Sequence, residues 1–158
     1  MDTNRFNQLC CSILGMSRNE NGLWVSPSEE LQWLCTELNF SLDYGHGEPY
    51  KFHSDWRWLM EVMDVIETTD WDIRWNRSWD RIRAKWGEDT HLSKMPGQIF
   101  VSYDNRDEHR GWWCSLYFDG GLPTIQIAVF DEDRFKTRFE ATRWGVEEFL
   151  KIWDKHLR

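Results

Sequence analysis

The sequence has no C-x-x-C or H-x-x-x-H pair, no glycine-rich phosphate loop, no G-x-S-x-G elbow and no long apolar run. Each absence removes a class of function. Zinc sites need closely spaced thiol and imidazole pairs, so no metal and no cofactor is expected. A bilayer-spanning helix needs about 18 apolar residues, and no stretch approaches that. The start, MDTNRFNQLCCSILG, has an acidic second residue and no long apolar core, unlike a signal peptide. The expected location is the cytoplasm of a host cell. The four cysteines, Cys10, Cys11, Cys35 and Cys114, are then expected to be reduced and unpaired. Four prolines and ten glycines form no linker or low-complexity tract, so one domain over residues 1–158 is expected. Basic residues are also short: 19 Lys and Arg face 27 Asp and Glu, for a net charge of −8. That balance disfavours direct binding to nucleic acid or to an anionic membrane.

What the chain has is tryptophan, twelve of them in 158 residues. Trp71, Trp75, Trp79 and Trp86 cluster, with Arg74, Arg77, Arg81, Arg83 and Lys85 threaded between them. Residues 71–86 hold five basic and two acidic side chains, a balance of +3 that leaves −11 for the rest of the chain. Tryptophan and arginine are the side chains most enriched at binding hot spots, so the cluster points to binding rather than chemistry.

Apolar periodicity predicts a helix over Asp2–Leu14, ended by Gly15. Ser26-Pro27-Ser28-Glu29 reads as a capping box opening a helix over Pro27–Leu38. The Gly- and Pro-bearing stretch Asn39–Phe52 reads as a loop. Ser54 is the expected cap of a helix over Asp55–Glu67, with Trp56, Leu59, Val62, Met63 and Ile66 inward. Trp58 lies about 200° around from Trp56, which makes one of the two indoles peripheral. Trp71–Trp86 fits a single helix with its indoles in one arc. It also fits a strand with Trp71, Ile73 and Trp75 on one face, followed by a shorter helix from Ser78. Strands are expected at Gln98–Tyr103, Trp112–Phe118 and Thr124–Phe130, joined as hairpins. Thr137-Arg138-Phe139-Glu140 is a second capping box. It starts a final helix with Phe139, Val146, Phe149, Leu150 and Trp153 inward and Trp144 on its charged face.

The run Tyr50–Glu67, YKFHSDWRWLMEVMDVIE, resembles a group of small uncharacterised phage and prophage proteins related to the phage ABA-sandwich domain. His53, Ser54, Trp56, Trp58, Leu59 and Met60 match that family's helical His-Ser/Thr-x-Trp-x-Trp-Leu-Met run, and Glu140–Lys155 is similar to its last helix. The resemblance implies a phage origin and an α+β fold, with a small antiparallel sheet of three or more strands covered by helices in an α-β-α layering. It implies no activity. It favours a strand over Trp71–Trp75, whereas the residue pattern favours a helix over Ser78–Trp86.

No reactive constellation stands out. His46 and His53, with Glu48 and Asp55, lack metal-site spacing, and His53 reads as a packing or capping residue beside Ser54. Asp131-Glu132-Asp133 reads as a solvated turn and Gly120-Gly121 as a hairpin turn. The expected function is therefore non-enzymatic: a phage-encoded, acidic protein that binds and inhibits a host protein in counter-defence. The partner would be a host protein such as one that itself binds nucleic acid, with the acidic surface imitating a phosphate backbone. Candidate contact residues are Trp144, Trp71, Trp75, Trp79, Arg74, Arg77 and Arg81. The alternative is a small-ligand binder that sequesters a nucleotide, with indoles stacking on the base and Arg74, Arg77 and Arg81 on the phosphates.

Overall fold

The computed structural model describes all residues except 45–48, 79–80, 85, 87–89, 120–123 and 130–133. The side chains of 42–44, 76–78, 81–84, 119 and 124–129 also lie outside the description. The fold is α+β, and the chain forms two compact units, Met1–Val65 and Ile66–Arg158.

The first unit is mainly helical. Helix α1, Thr3–Ile13, is capped by Asp2, whose carboxylate accepts from Arg5 N at 2.9 Å, and the chain leaves it through Gly15 at φ 68°. Two short strands, β1 (Ser17–Arg18) and β2 (Trp24–Val25), pair antiparallel. The Asn39 amide then serves as a further strand partner: it accepts from Trp24 N at 2.7 Å and donates to Trp24 O at 3.0 Å.

Helix α2 spans Gln32–Tyr44 and follows a 3-10 turn over Glu29–Leu31. The capping box expected at Ser26 does not form, because Ser26 Oγ accepts from Ser28 N at 3.2 Å in a tight local turn. Helix start and end both shift downstream, and Asn39–Tyr44, expected as loop, is helical.

Helix α3, Trp56–Thr68, is capped not by Ser54 but by Asp55, which accepts from Arg57 N at 2.8 Å. Its inward stripe is Trp58, Leu59, Val62, Met63 and Ile66. Trp58 is fully buried whereas Trp56 is 39% exposed, reversing the expected roles of these indoles. The reason is polar as well as apolar. Trp58 Nε1 donates to Glu37 Oε2 at 3.1 Å while its ring meets Phe52 edge-on at 4.9 Å.

In the second unit the strand alternative for Trp71–Trp75 holds, and among the described residues neither the single helix over Trp71–Trp86 nor the shorter helix from Ser78 forms. Strand β3, Trp71–Ser78, turns back into β4, Arg81–Ala84, with Trp75 opposite Ala84 and Ser78 opposite Arg81. Period-two alternation decides the matter. Ile73 is buried and Trp71 and Trp75 are half-buried, while Asp72 and Arg74 are exposed. A helix would have grouped the indoles, but it would have surrendered the ladder that β3 forms with β5, His91–Met95.

Strands β6 (Gly97–Asp104), β7 (Gly111–Asp119) and β8 (Thr124–Val129) form the expected meander, and β8 lies parallel to β4. The sheet order is β5-β3-β4-β8-β7-β6, so it is mixed rather than wholly antiparallel. Pro96 alone separates β5 from β6, although they stand at opposite ends of that order. They are one extended segment whose first half pairs with β3 and whose second half pairs with β7. Proline, lacking an N–H, marks the change of partner.

Helix α4, Arg138–Ile152, lies on β6 and β7, and a π-helical turn over Trp153–Leu157 follows it. Its capping box forms as expected: Glu140 N donates to Thr137 Oγ1 and Thr137 N to Glu140 Oε2, both at 3.1 Å. Val146, Phe149, Leu150 and Trp153 are buried, with Phe149 against Trp71 at 5.3 Å and Phe118 at 5.9 Å. Phe139, expected inward, is only half-buried.

Candidate functional site: an aromatic and cationic groove at Trp144

Among the described binding candidates, Trp71 and Trp75 do not share a face with Arg74. Strand alternation places the indoles of Trp71 and Trp75 on the Ile73 face and Arg74 on the other. Both indole N–H groups are used internally. Trp71 Nε1 donates to Ile66 O at 3.0 Å and Trp75 Nε1 to Ser93 Oγ at 3.0 Å, with Trp75 also tilted over His91 at 4.7 Å. Asp72 pairs with Lys94 across the strands at 3.7 Å, both side chains largely exposed, where such a pair contributes little. Trp79 and the side chains of Arg77 and Arg81 lie outside the described residues.

Trp144 is different. It is half-buried on α4, with Glu140 one turn before it and Glu147 nearly one turn after. Its ring meets that of Phe135 at 6.2 Å with a 43° interplanar angle. Phe135 is fixed by its backbone: Phe135 N donates to Trp112 O at 2.8 Å and Trp112 N donates to Phe135 O at 3.0 Å. Trp112 in turn meets Tyr103 edge-on at 5.3 Å. The result is a groove of about 440 Å³ lined by Arg134, Phe135, Lys136, Glu140, Arg143, Trp144 and Glu147. That volume lies in the range of small-ligand or single-side-chain pockets.

Its charges are sorted. Arg134, 15% exposed, donates from Nη2 to Asp104 Oδ2 at 3.4 Å and from Nε to His109 O at 3.2 Å. Asp104 also accepts from Arg106 at 2.7 Å, and these guanidinium hydrogen bonds, Arg106 first, hold its carboxyl well below the usual aspartate range. Glu140 is committed to the helix cap and Glu147 pairs with Lys151 at 3.2 Å. Lys136 and Arg143 give the groove its cationic rim beside two aromatic rings. Such a groove can take an aromatic or acidic group by stacking and charge.

Among the described residues no group of three His, Cys, Asp or Glu side chains could hold a metal ion, and no helix is long and apolar enough to cross a membrane. His53 is half-buried, and His46, Glu48 and Asp131-Glu132-Asp133 lie outside the description. The four thiols are unpaired and buried. Burial pushes Cys11 and Cys114 up to about 12 and raises Cys10 and Cys35.

Trp144 was the one groove residue legible from sequence. Arg134, Phe135, Lys136 and Arg143 were missed, although Arg-Phe-Lys directly before the Thr137 cap was visible as a cation–aromatic–cation run. No protein family, characterised protein or solved structure matches the chain.

Proposed function

We propose that this chain is a non-enzymatic, phage-encoded binding protein that inhibits a host protein stoichiometrically in the host cytoplasm, as a counter-defence factor. The observation that carries the reading is the Trp144 groove. An indole set beside a fixed phenyl ring and two cations is the composition of an interface anchor, where aromatic and arginine side chains concentrate binding energy. The net charge of −8 supports an acidic surface that competes for a nucleic-acid-binding partner, and the phage-like run Tyr50–Glu67 supports the origin. The α-β-α layering that the resemblance implies belongs to the same proposal.

The test is biological. Expressed in a bacterial host carrying a defence system, the protein should restore plaque formation by a phage which that system blocks. A folded Trp144→Ala variant should lose the effect. Restored plaques with Trp144→Ala equal to wild type would reject the groove as the acting surface.

A second reading, sequestration of a nucleotide, keeps support only in this groove. There a base could stack on Trp144 while Lys136 and Arg143 met the phosphates. Quenching of tryptophan fluorescence by a nucleotide, lost in Trp144→Phe, would favour it over protein inhibition.

A further inference from the structure

Gly97, the first residue of β6, is where the end of α3 meets the sheet. A methyl group added there would come within 2.7 Å of Ile66 Cγ2 and 3.1 Å of the Phe149 ring, so the missing side chain is what lets the last turn of α3 close on the strand. The next residue, Glu67, then lines a pocket of about 410 Å³ together with Gln98, Ile99, Phe100 and Tyr117. Ile99 faces α4, where a methyl group on Gly145 would meet it. Strand alternation therefore puts Gln98 and Phe100 on the opposite face of the sheet. Register sets Tyr117 directly across from Gln98, and Trp113, on that same face of β7, tilts against Phe100 at 5.6 Å. Phe100 is 48% exposed, Glu67 is exposed, and Gln98 and Tyr117 are half-buried. Among the described residues that line the pocket, Glu67 is the one charged group. The site is a carboxylate at the rim of a sheet face that carries a phenyl ring, a phenol and a carboxamide.

We propose that this pocket receives the guanidinium group of an arginine side chain on a partner protein. A phosphate or carboxylate ligand finds no cation in the lining, whereas a cation finds a carboxylate and two ring faces. Glu67 is the penultimate residue of α3, so the negative end of a 13-residue helix adds to its charge. A carboxylate offers about four acceptor positions, so Glu67 can take a guanidinium without surrendering the contacts it already makes. Gln98 Oε1 and Tyr117 Oη supply further acceptors, and among the described residues neither side chain is hydrogen-bonded within the chain. A planar guanidinium suits the site better than an ammonium, because it stacks on a ring while donating in its own plane to a carboxylate. The first unit contains the same combination. Arg57 lies 5.2 Å from the centroid of the Trp33 ring and donates from Nη2 to Glu37 Oε1 at 3.1 Å. The inference rests on the proposed function only in drawing the arginine from a host protein. Arginine is abundant on surfaces that bind nucleic acid, and the Glu67 carboxylate would there stand in for a phosphate.

Titration of the isotope-labelled full chain with arginine capped at both ends, followed by NMR, tests this without any host protein. Its failure would leave the Trp144 groove standing, and failure of the groove would leave this pocket standing, because the two share no lining residue. The Gln98 side-chain amide and the backbone amides of Gln98, Phe100 and Tyr117 should shift saturably. Capped citrulline, the neutral isostere, should leave them in place, and capped lysine should bind more weakly. Free L-arginine should also bind more weakly, since its own carboxylate is repelled by Glu67. Glu67→Gln and Phe100→Ala, both at exposed positions, should each weaken capped arginine by at least about fivefold. Absent or unsaturable shifts, citrulline or lysine binding as well as arginine, free arginine binding more tightly than the capped form, or unchanged affinity in both folded variants would each overturn the proposal.

Discussion

Gly145 of α4 lies directly on Cys114 of β7. A methyl group added at Gly145 would come within 2.8 Å of Cys114 Sγ and 2.5 Å of Ile99 Cγ2. Mid-helix glycine normally lowers helix stability, and here it is what lets α4 reach β6 and β7. Gly145→Ala should therefore destabilise the protein by about 1–2 kcal/mol, overpacking outweighing the gain of about 1 kcal/mol in helix propensity. Denaturant unfolding checks this. Adding Cys114→Ala should recover part of the loss, and strict additivity would show that the contact is not the cause.

Residues 71–75 act as a strand with one inner and one outer face, so their substitutions should sort by parity. Trp71→Phe loses the indole hydrogen bond to Ile66 O and should cost about 1 kcal/mol. Arg74→Ala, on the exposed face, should change stability by less than about 0.5 kcal/mol. Equal losses at both positions would contradict the alternation.

The cysteines should be silent in the native state. Cys10, Cys11, Cys35 and Cys114 are buried with raised thiol values, and exchange with an aromatic disulfide reagent needs an accessible thiolate. At pH 7.5 labelling should be slow until denaturant is added, and then reach all four thiols. Fast labelling of one native thiol would contradict this packing.

Asp104 should make the region near the groove acid-sensitive. Its folded-state value is lowered by Arg106 and Arg134, so its stabilising contribution is complete above the ordinary aspartate value of about 4. The contribution is lost as acidification carries the pH from there toward the lowered folded value. Wild type should therefore exceed Asp104→Asn in stability at pH 7, and the gap should narrow steadily below about pH 4. A gap independent of pH would place the effect elsewhere than in the carboxylate charge.

Much of this architecture was legible where local chemistry and tertiary contacts agree. The Asp2–Leu14 helix, the Thr137 capping box and the β6-β7-β8 meander carry strong local signals, and tertiary packing reinforces them. The misreadings fall where two patterns overlapped or where a distant partner decided. Trp71, Trp75 and Trp79 fit a four-residue period and a two-residue period at once, and pairing with His91–Met95, invisible to local reasoning, selected the strand. Trp58 was taken inward by Glu37, 21 residues earlier. The groove was only partly readable for the same reason. Trp144 announced itself on a charged helix face, whereas Phe135 reaches it through a backbone bridge to Trp112 that no spacing rule encodes.

Affinity capture from host lysate with tagged wild type, Trp144→Ala and Arg143→Glu, each verified as folded by circular dichroism, tests the central claim most directly. Wild type should retain one host protein in near-stoichiometric amount, and both variants should lose it. Equal retention by the folded variants, or no retained protein with wild type, would contradict a binding function carried by the Trp144 groove.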